Sequence, residues 1–371
     1  MANINRRAWL KTAGLVGSAA FVGLPQLSAY EKKRFNPRPL EAPVRLTSNE
    51  NPYGPSDQVR KAIKDAFDFS CRYPYYYMGE LVEMLADKEG VKKENIVVTV
   101  GTTEALRITG LTYGKDGGEI VAAQPTFLAM MSYAEQWKSR IRWVPLDRNQ
   151  VHDLSAMEQQ VNDKTRLVFV CNPNNPTSTL LPEDDMNSFC ERVSDRAIVF
   201  SDEAYYDYIQ KPDYPSMVKW VKEGKNVIVS RTFSKVYGLA GLRIGYIIAP
   251  ESIAAELRQN MAAYPSVPAI QAAKAALKDK EFYDFSLEKN RQARKVITDS
   301  LDDIGLKYNS SNTNFIFFES GREIEKLQQQ MKEQGVLIGR PFPPLTKWCR
   351  ISTGTVEEVT AFAEGIKRVY S

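Results

Sequence analysis

Seven short apolar, β-branched runs recur through the middle of this chain, most of them separated by segments of helical periodicity, and that alternation leaves few folds open. They are "IVVTV" at 96–100, "EIVAA" at 119–123, "RIRWV" at 140–144, "RLVFV" at 166–170, "AIVFS" at 197–201, "NVIVS" at 226–230 and "IGYIIA" at 244–249. Near-continuous apolar strands alternating with helices predict a mainly parallel sheet covered on both faces. The fold class is therefore α/β, with a seven-stranded sheet in a large domain spanning 46–255. Beyond about residue 250, long helical stretches precede "NFIFF", "GVLIG" and "WCRIS", which predicts a smaller α+β domain over 256–371. The irregular, proline-rich "FNPRPLEAP" and "NENPYGPS" read as an arm, assigned to 30–45.

Charge and cysteine usage remove several function classes. The first 29 residues hold Arg6, Arg7 and Lys11 and no acid, and the remainder carries 46 basic against 45 acidic residues, with no basic block. A nucleic-acid partner has no electrostatic footprint in such a chain. Cys71, Cys171, Cys190 and Cys349 lack metal-type spacing and read as separate buried thiols. His152 is the only histidine, which excludes a zinc site built on several imidazoles; its polar setting "NQVHDLS" predicts a surface loop. "GLTYGK" at 110–115 has three residues between its glycines where a P-loop needs four, and no G-x-G-x-x-G follows a strand.

The N-terminus carries its own signal. Arg6-Arg7 precede an apolar stretch from Ala13 to Leu24 and small residues ending at Ala29. Twelve helical residues rise about 18 Å, too little for a hydrocarbon core of roughly 30 Å, so a stable membrane anchor is not expected. Residues 1–29 are predicted to be a twin-arginine-type signal segment directing export to the periplasm. The alternative is an amphipathic arm on a cytoplasmic protein.

In an open α/β sheet, ligands bind beyond the carboxyl ends of the strands, so the polar residues after these runs should converge. "GTTEALRI" follows the first run: Gly101 permits close backbone approach, and Thr102 and Thr103 open a helix whose N–H groups suit an anion. An ordinary glycine turn with a threonine cap is the plainer reading of that stretch alone. "CNPNNPTS", "DEAYY" and "RTFSK" follow three later runs. Four strand ends thus supply a phosphate cradle, an amide, an acid with a phenol, and a lysine. Pyridoxal phosphate uses this set: an amine for its aldehyde, a carboxylate for its ring nitrogen, donors for its ring oxygen and a cradle for its phosphate.

On "NENPYG", "RYP", "GTTEAL", "QPTF", "NPNNPT", "DEAY", "TFSKVYGLAGLRIGY" and "WCRISTGT", in that order from Asn49 to Thr355, the chain resembles the fold-type I pyridoxal-phosphate aminotransferases, within them the histidinol-phosphate aminotransferase branch. The resemblance implies a homodimeric enzyme of amino-acid metabolism that moves an amino group between an amino donor and a 2-oxo acid. It implies that Lys235 forms the Schiff base and shuttles the proton, and that Asp202 pairs with the ring nitrogen. Asn175 and Tyr205 would bond the ring oxygen, and Phe127 would stack on the ring. Gly101, Thr102, Thr103, Thr232, Ser234 and Arg243 would hold the phosphate, with Tyr73 reaching the neighbouring subunit's cofactor. Tyr53, Arg340 and Arg350 would meet substrate, Arg350 as the anchor for its acidic group. The Tyr75–Tyr77 run reads as core aromatics. Two departures stand out: Ser178 replaces the usual glycine after "NPT", and Gly339 shifts Arg340 by about one residue. The alternatives are a lyase or decarboxylase of the same fold and a binding protein that keeps the fold without turnover; the first yields no keto product alongside aminated cofactor, the second no bleaching by amino donors.

Overall fold

A computed structural model describes residues 43–371, so the signal segment and most of the arm lie outside the described residues. Each of the seven apolar runs forms a strand of one sheet: β2 (Ile96–Thr99), β3 (Glu119–Gln124), β4 (Arg140–Pro145), β5 (Thr165–Cys171), β6 (Ile198–Asp202), β7 (Val227–Thr232) and β8 (Gly245–Ile248), in the spatial order β2-β8-β7-β6-β5-β3-β4. All neighbours pair in parallel except β8, which runs antiparallel to both β2 and β7.

Because side chains alternate across a strand, the runs feed two cores at once. Val98, Val121, Val168, Val170, Val199 and Val229 enter one buried cluster. Their neighbours Val97, Ile120, Leu167, Phe169, Phe200 and Ile228 enter the other. The helix Val267–Lys278, capped by Ser266, puts Ala269, Ile270, Ala272 and Ala273 into the first cluster, packed against the helices Asp57–Asp65 and Tyr75–Glu89.

A third cluster holds the C-terminal part together. There β9 (Phe315–Glu319) pairs antiparallel with β11 (Trp348–Ser352), and the two-residue β1 (Val44–Arg45) pairs in parallel with β10 (Val336–Leu337). The first described strand is thereby tied to one of the last, and residues 47–50 leave it across the mouth of the sheet.

Three sequence expectations fail locally. His152 is buried, with 4% of its surface exposed, and burial pulls its imidazole down to about 4. Tyr75 and Tyr76 open a helix (Tyr75–Glu89) on the surface, Tyr76 with 90% of its area exposed. Cys71 is exposed too, while the other three thiols are buried and free.

Candidate active site

Register explains why the chemistry gathers at one edge. Thr99 and Thr232 both lie opposite Gly245, Cys171 lies opposite Asp202, and Asp202 opposite Ser230. Four strands therefore end abreast, and the reversed β8 begins there, which puts Arg243 at the same edge. Beyond them opens a cavity of about 460 Å³ whose lining includes Thr102, Thr103, Phe127, Asn175, Asp202, Tyr205, Ser234, Lys235, Arg243 and Arg350.

The anion cradle is built from three pieces. The helix Gly101–Gly114 starts after Val100 with no side-chain cap, so its first N–H groups and positive dipole end stay available. The threonine cap that the sequence allowed does not form. Arg243 Nη2 donates to Thr103 Oγ1 at 3.3 Å, and Nη1 donates to Ala240 O at 2.8 Å. A Cβ on Gly101 would stand 2.2 Å from Arg243 Nη2, and the backbone there has φ +75°, so any other residue is strained here and pushes the guanidinium from its place. Arg243 itself is held at φ 54°, a strained conformation for a side chain of this size. Thr232 sits behind the cradle, its Oγ1 accepting from Ser234 N at 3.0 Å.

Asp202 ends β6 as a buried carboxylate. Its Oδ1 accepts from Ser230 Oγ at 2.9 Å and from Ala204 N at 3.2 Å. Burial, outweighing those donors, raises its pKa to about 6. A cationic ring nitrogen opposite it would reverse that shift. Next to it, Glu203 and Arg231 form a buried ion pair at 2.8 Å that pins the ends of β6 and β7.

Lys235 follows β7 on a loop, Nζ donating to Asn49 O at 2.8 Å. Burial and then Arg350 lower its amine to about 8. At pH 7 such an amine is neutral in about one molecule in ten, whereas an ordinary lysine is almost wholly charged. The lysine is thus tuned toward nucleophilic work. Tyr205 OH accepts from Asn49 Nδ2 at 2.8 Å, and Asn49 Oδ1 accepts from Ser352 Oγ at 2.6 Å. Arg350 donates to Asn175 Oδ1 at 2.8 Å and to Thr47 O at 2.9 Å, while its buried Nε has no partner among the described residues.

Gly101 and Thr232 support the cradle from behind the lining, and three further expected residues stand away from the cavity. Tyr53 is buried against Phe285 with ring centroids 5.2 Å apart. Tyr73 is 77% exposed on the surface. Arg340 is exposed and stacks 4.3 Å over Phe342, whose ring also lies 5.0 Å from Arg350. Asn49 and Ser352, inside "NENPYG" and "WCRISTGT", were not singled out from sequence; nothing in their spacing announces that a strand from each end of the chain brings them together. Among the described residues no cluster has the makings of a metal site. The donor set fits pyridoxal phosphate: an uncapped helix end with an arginine for a dianion, a buried acid, and an amine of lowered basicity in one chamber.

Comparison with known proteins points the same way. The sequence model of the family described as aminotransferase class I and II matches residues 41–366. A histidinol-phosphate aminotransferase of Moorella thermoacetica is 38% identical over 330 residues, 88% of this chain and 85% of that one. One from Geobacillus thermodenitrificans is 37% identical over 85% of this chain and 87% of its own. The crystal structure of the Sinorhizobium meliloti histidinol-phosphate aminotransferase in complex with pyridoxal-5'-phosphate superposes with a TM-score of 0.81 at 25% identity, covering 96% of this chain and 97% of that one.

Proposed function

The chain belongs to the class I and II aminotransferases and is a pyridoxal-phosphate-dependent transaminase, and from that premise we propose how its residues divide the work and which substrates they take. The observation that carries the reading is the meeting of Lys235, Asp202 and the Gly101–Arg243 cradle in one cavity. When bound, the cofactor supplies an electrophilic carbon and an electron sink for the substrate's Cα.

The protein's part is to bind, orient and move protons. Thr102, Thr103, Ser234 and Arg243 hold the phosphate; Asp202 keeps the ring nitrogen protonated; Asn175 and Tyr205 hold the ring oxygen; Phe127 covers a ring face. Lys235 tethers the cofactor and, once displaced, carries the proton from Cα as a general base of matched pKa. Arg350 takes the substrate's carboxylate.

The substrate class follows from the cations. Arg340, the second cation expected to meet substrate, is exposed, stands outside the cavity lining and stacks on the Phe342 ring that also lies 5.0 Å from Arg350. A single arginine suits a monoanionic carboxylate better than a phosphate dianion. The proposed donors are α-amino acids and the acceptors 2-oxo acids. The relatives' histidinol phosphate belongs in the panel as the competing donor. Working as a homodimer, with Tyr73 reaching the partner's cofactor phosphate, and export by the Arg6–Arg7 signal complete the reading; the exposed Tyr73 and the short apolar stretch support them.

The test is spectroscopic. Purified protein given the cofactor should gain a visible band that amino donors bleach, with keto product formed in step. Borohydride reduction should fix the label on Lys235. A colourless protein, or a label elsewhere, rejects the reading; faster bleaching by histidinol phosphate than by any α-amino acid rejects the substrate class.

A further inference from the structure

Residues 47–50 touch three working groups at once. Thr47 O accepts from Arg350, Asn49 O accepts from Lys235, and the Asn49 side chain donates to Tyr205. Ser352 Oγ donates its one proton to Asn49 Oδ1, and in that orientation the amide turns its Nδ2 donor toward Tyr205. A phenol that receives this donor keeps its own proton for the cavity it lines. Were the amide reversed, its oxygen would take that proton and Tyr205 would face the cavity with a lone pair.

We propose that Asn49 is a positioning residue that, oriented by Ser352, commits the Tyr205 hydroxyl to donate toward the cofactor's ring oxygen, and so sets the pH at which the Lys235 nitrogen titrates in the loaded enzyme. The proposal rests on the cofactor reading above. Its physics is short. A donor to the ring oxygen stabilises that oxygen's anion, and the neighbouring nitrogen then gives up its proton at lower pH. A chain of aligned hydrogen bonds strengthens the last one. The effect is local to one oxygen and separable from folding, because the backbone carbonyl that meets Lys235 is untouched by a side-chain change.

The experiment reads the pH midpoint of the visible band in the full-length holoenzyme. Titration of the unaltered enzyme tests the cofactor reading itself, since no band means no holoenzyme. Asn49→Ala should raise the midpoint by about half a pH unit to one unit, the scale of one lost hydrogen bond. Ser352→Ala, which leaves Asn49 in place but frees its amide, should shift it the same way by less. In a Tyr205→Phe background Asn49→Ala should add nothing. An equal shift in both backgrounds, or an unmoved midpoint in Asn49→Ala and Ser352→Ala with native melting, overturns the proposal.

Discussion

Asp202 is where the site costs the fold something measurable. Its pKa in the folded protein, about 6, lies above the ordinary 3.8, so between these values the folded state binds more protons than the unfolded one. Stability contributed by this group is therefore present below about pH 4 and falls as pH rises, with the full penalty in force above 6. The penalty is about 3 kcal/mol by the conversion of pKa to free energy. Asp202→Asn keeps the acceptor that Ser230 and Ala204 bond. Cofactor-free Asp202→Asn protein should thus resist urea better than the parent at pH 7, by a margin on the order of 3 kcal/mol that vanishes toward pH 4. It should also hold the cofactor more weakly. Equal urea midpoints at pH 7 would show that the buried carboxylate is solvated after all. The lysine, the acid and the phenol were legible in the sequence because each stands just past an apolar run. Asn49 and Ser352 were not, since their roles come from contacts more than 150 and 300 residues apart in sequence, with Tyr205 and with each other.

Strands were easier to read than the way they lean on one another. All seven apolar runs became strands because a sheet buried on both faces writes itself as unbroken β-branched sequence. The reversal of β8 left no such trace, as periodicity carries no direction. Nor did the pairing of β1 with β10, since two residues are too few for a period. The departure at Gly339 now has a physical account. Its Cβ would lie 2.3 Å from Arg350 O, and its N–H donates to that same carbonyl at 3.2 Å. The chain after β10 passes against β11, and a side chain there would displace the strand that carries Arg350, the proposed substrate anchor. Gly339→Ala should therefore raise KM for acidic substrates at least tenfold, about 1.4 kcal/mol of lost binding. The visible band should persist, because Lys235, Asp202 and the Gly101–Arg243 cradle stand on other elements. A parallel substitution, Gly101→Ala, strikes the other end of the site, where its Cβ meets Arg243. That variant should lose cofactor affinity at least tenfold, read by equilibrium dialysis. If the two variants exchanged phenotypes, the assignment of Arg243 to the phosphate and Arg350 to the substrate would be inverted.

At the scale of the whole molecule the feature left unexplained by a single chain is an aromatic surface. Phe67, Phe69, Tyr73, Tyr75, Tyr76 and Tyr264 are all exposed. Tyr75 packs between Tyr73 and Tyr264 with centroids 5.7 and 5.2 Å apart, so part of the group is contiguous. Core placement, which the sequence suggested for Tyr75 and Tyr76, fails because the helix turns Tyr77, Leu81 and Leu85 toward the core and leaves Tyr75 and Tyr76 exposed. Rings that bury about 150–250 Å² each make six of them enough, even half covered, for much of the roughly 800 Å² that each partner gives a standard interface. The proposed homodimer covers this patch and brings Tyr73 to the neighbouring phosphate, which makes association and cofactor retention one equilibrium. Two substitutions separate the parts. Tyr76→Asp places a charge where the ring would be buried, and should convert the dimer to monomer in light scattering with loss of cofactor on dilution. Tyr73→Phe removes only a hydroxyl, and should leave the dimer intact while weakening cofactor binding about ten- to a hundredfold, the value of one hydrogen bond to a charged group. A Tyr76→Asp protein that stays dimeric and coloured on dilution would mean that this surface faces something other than a second copy.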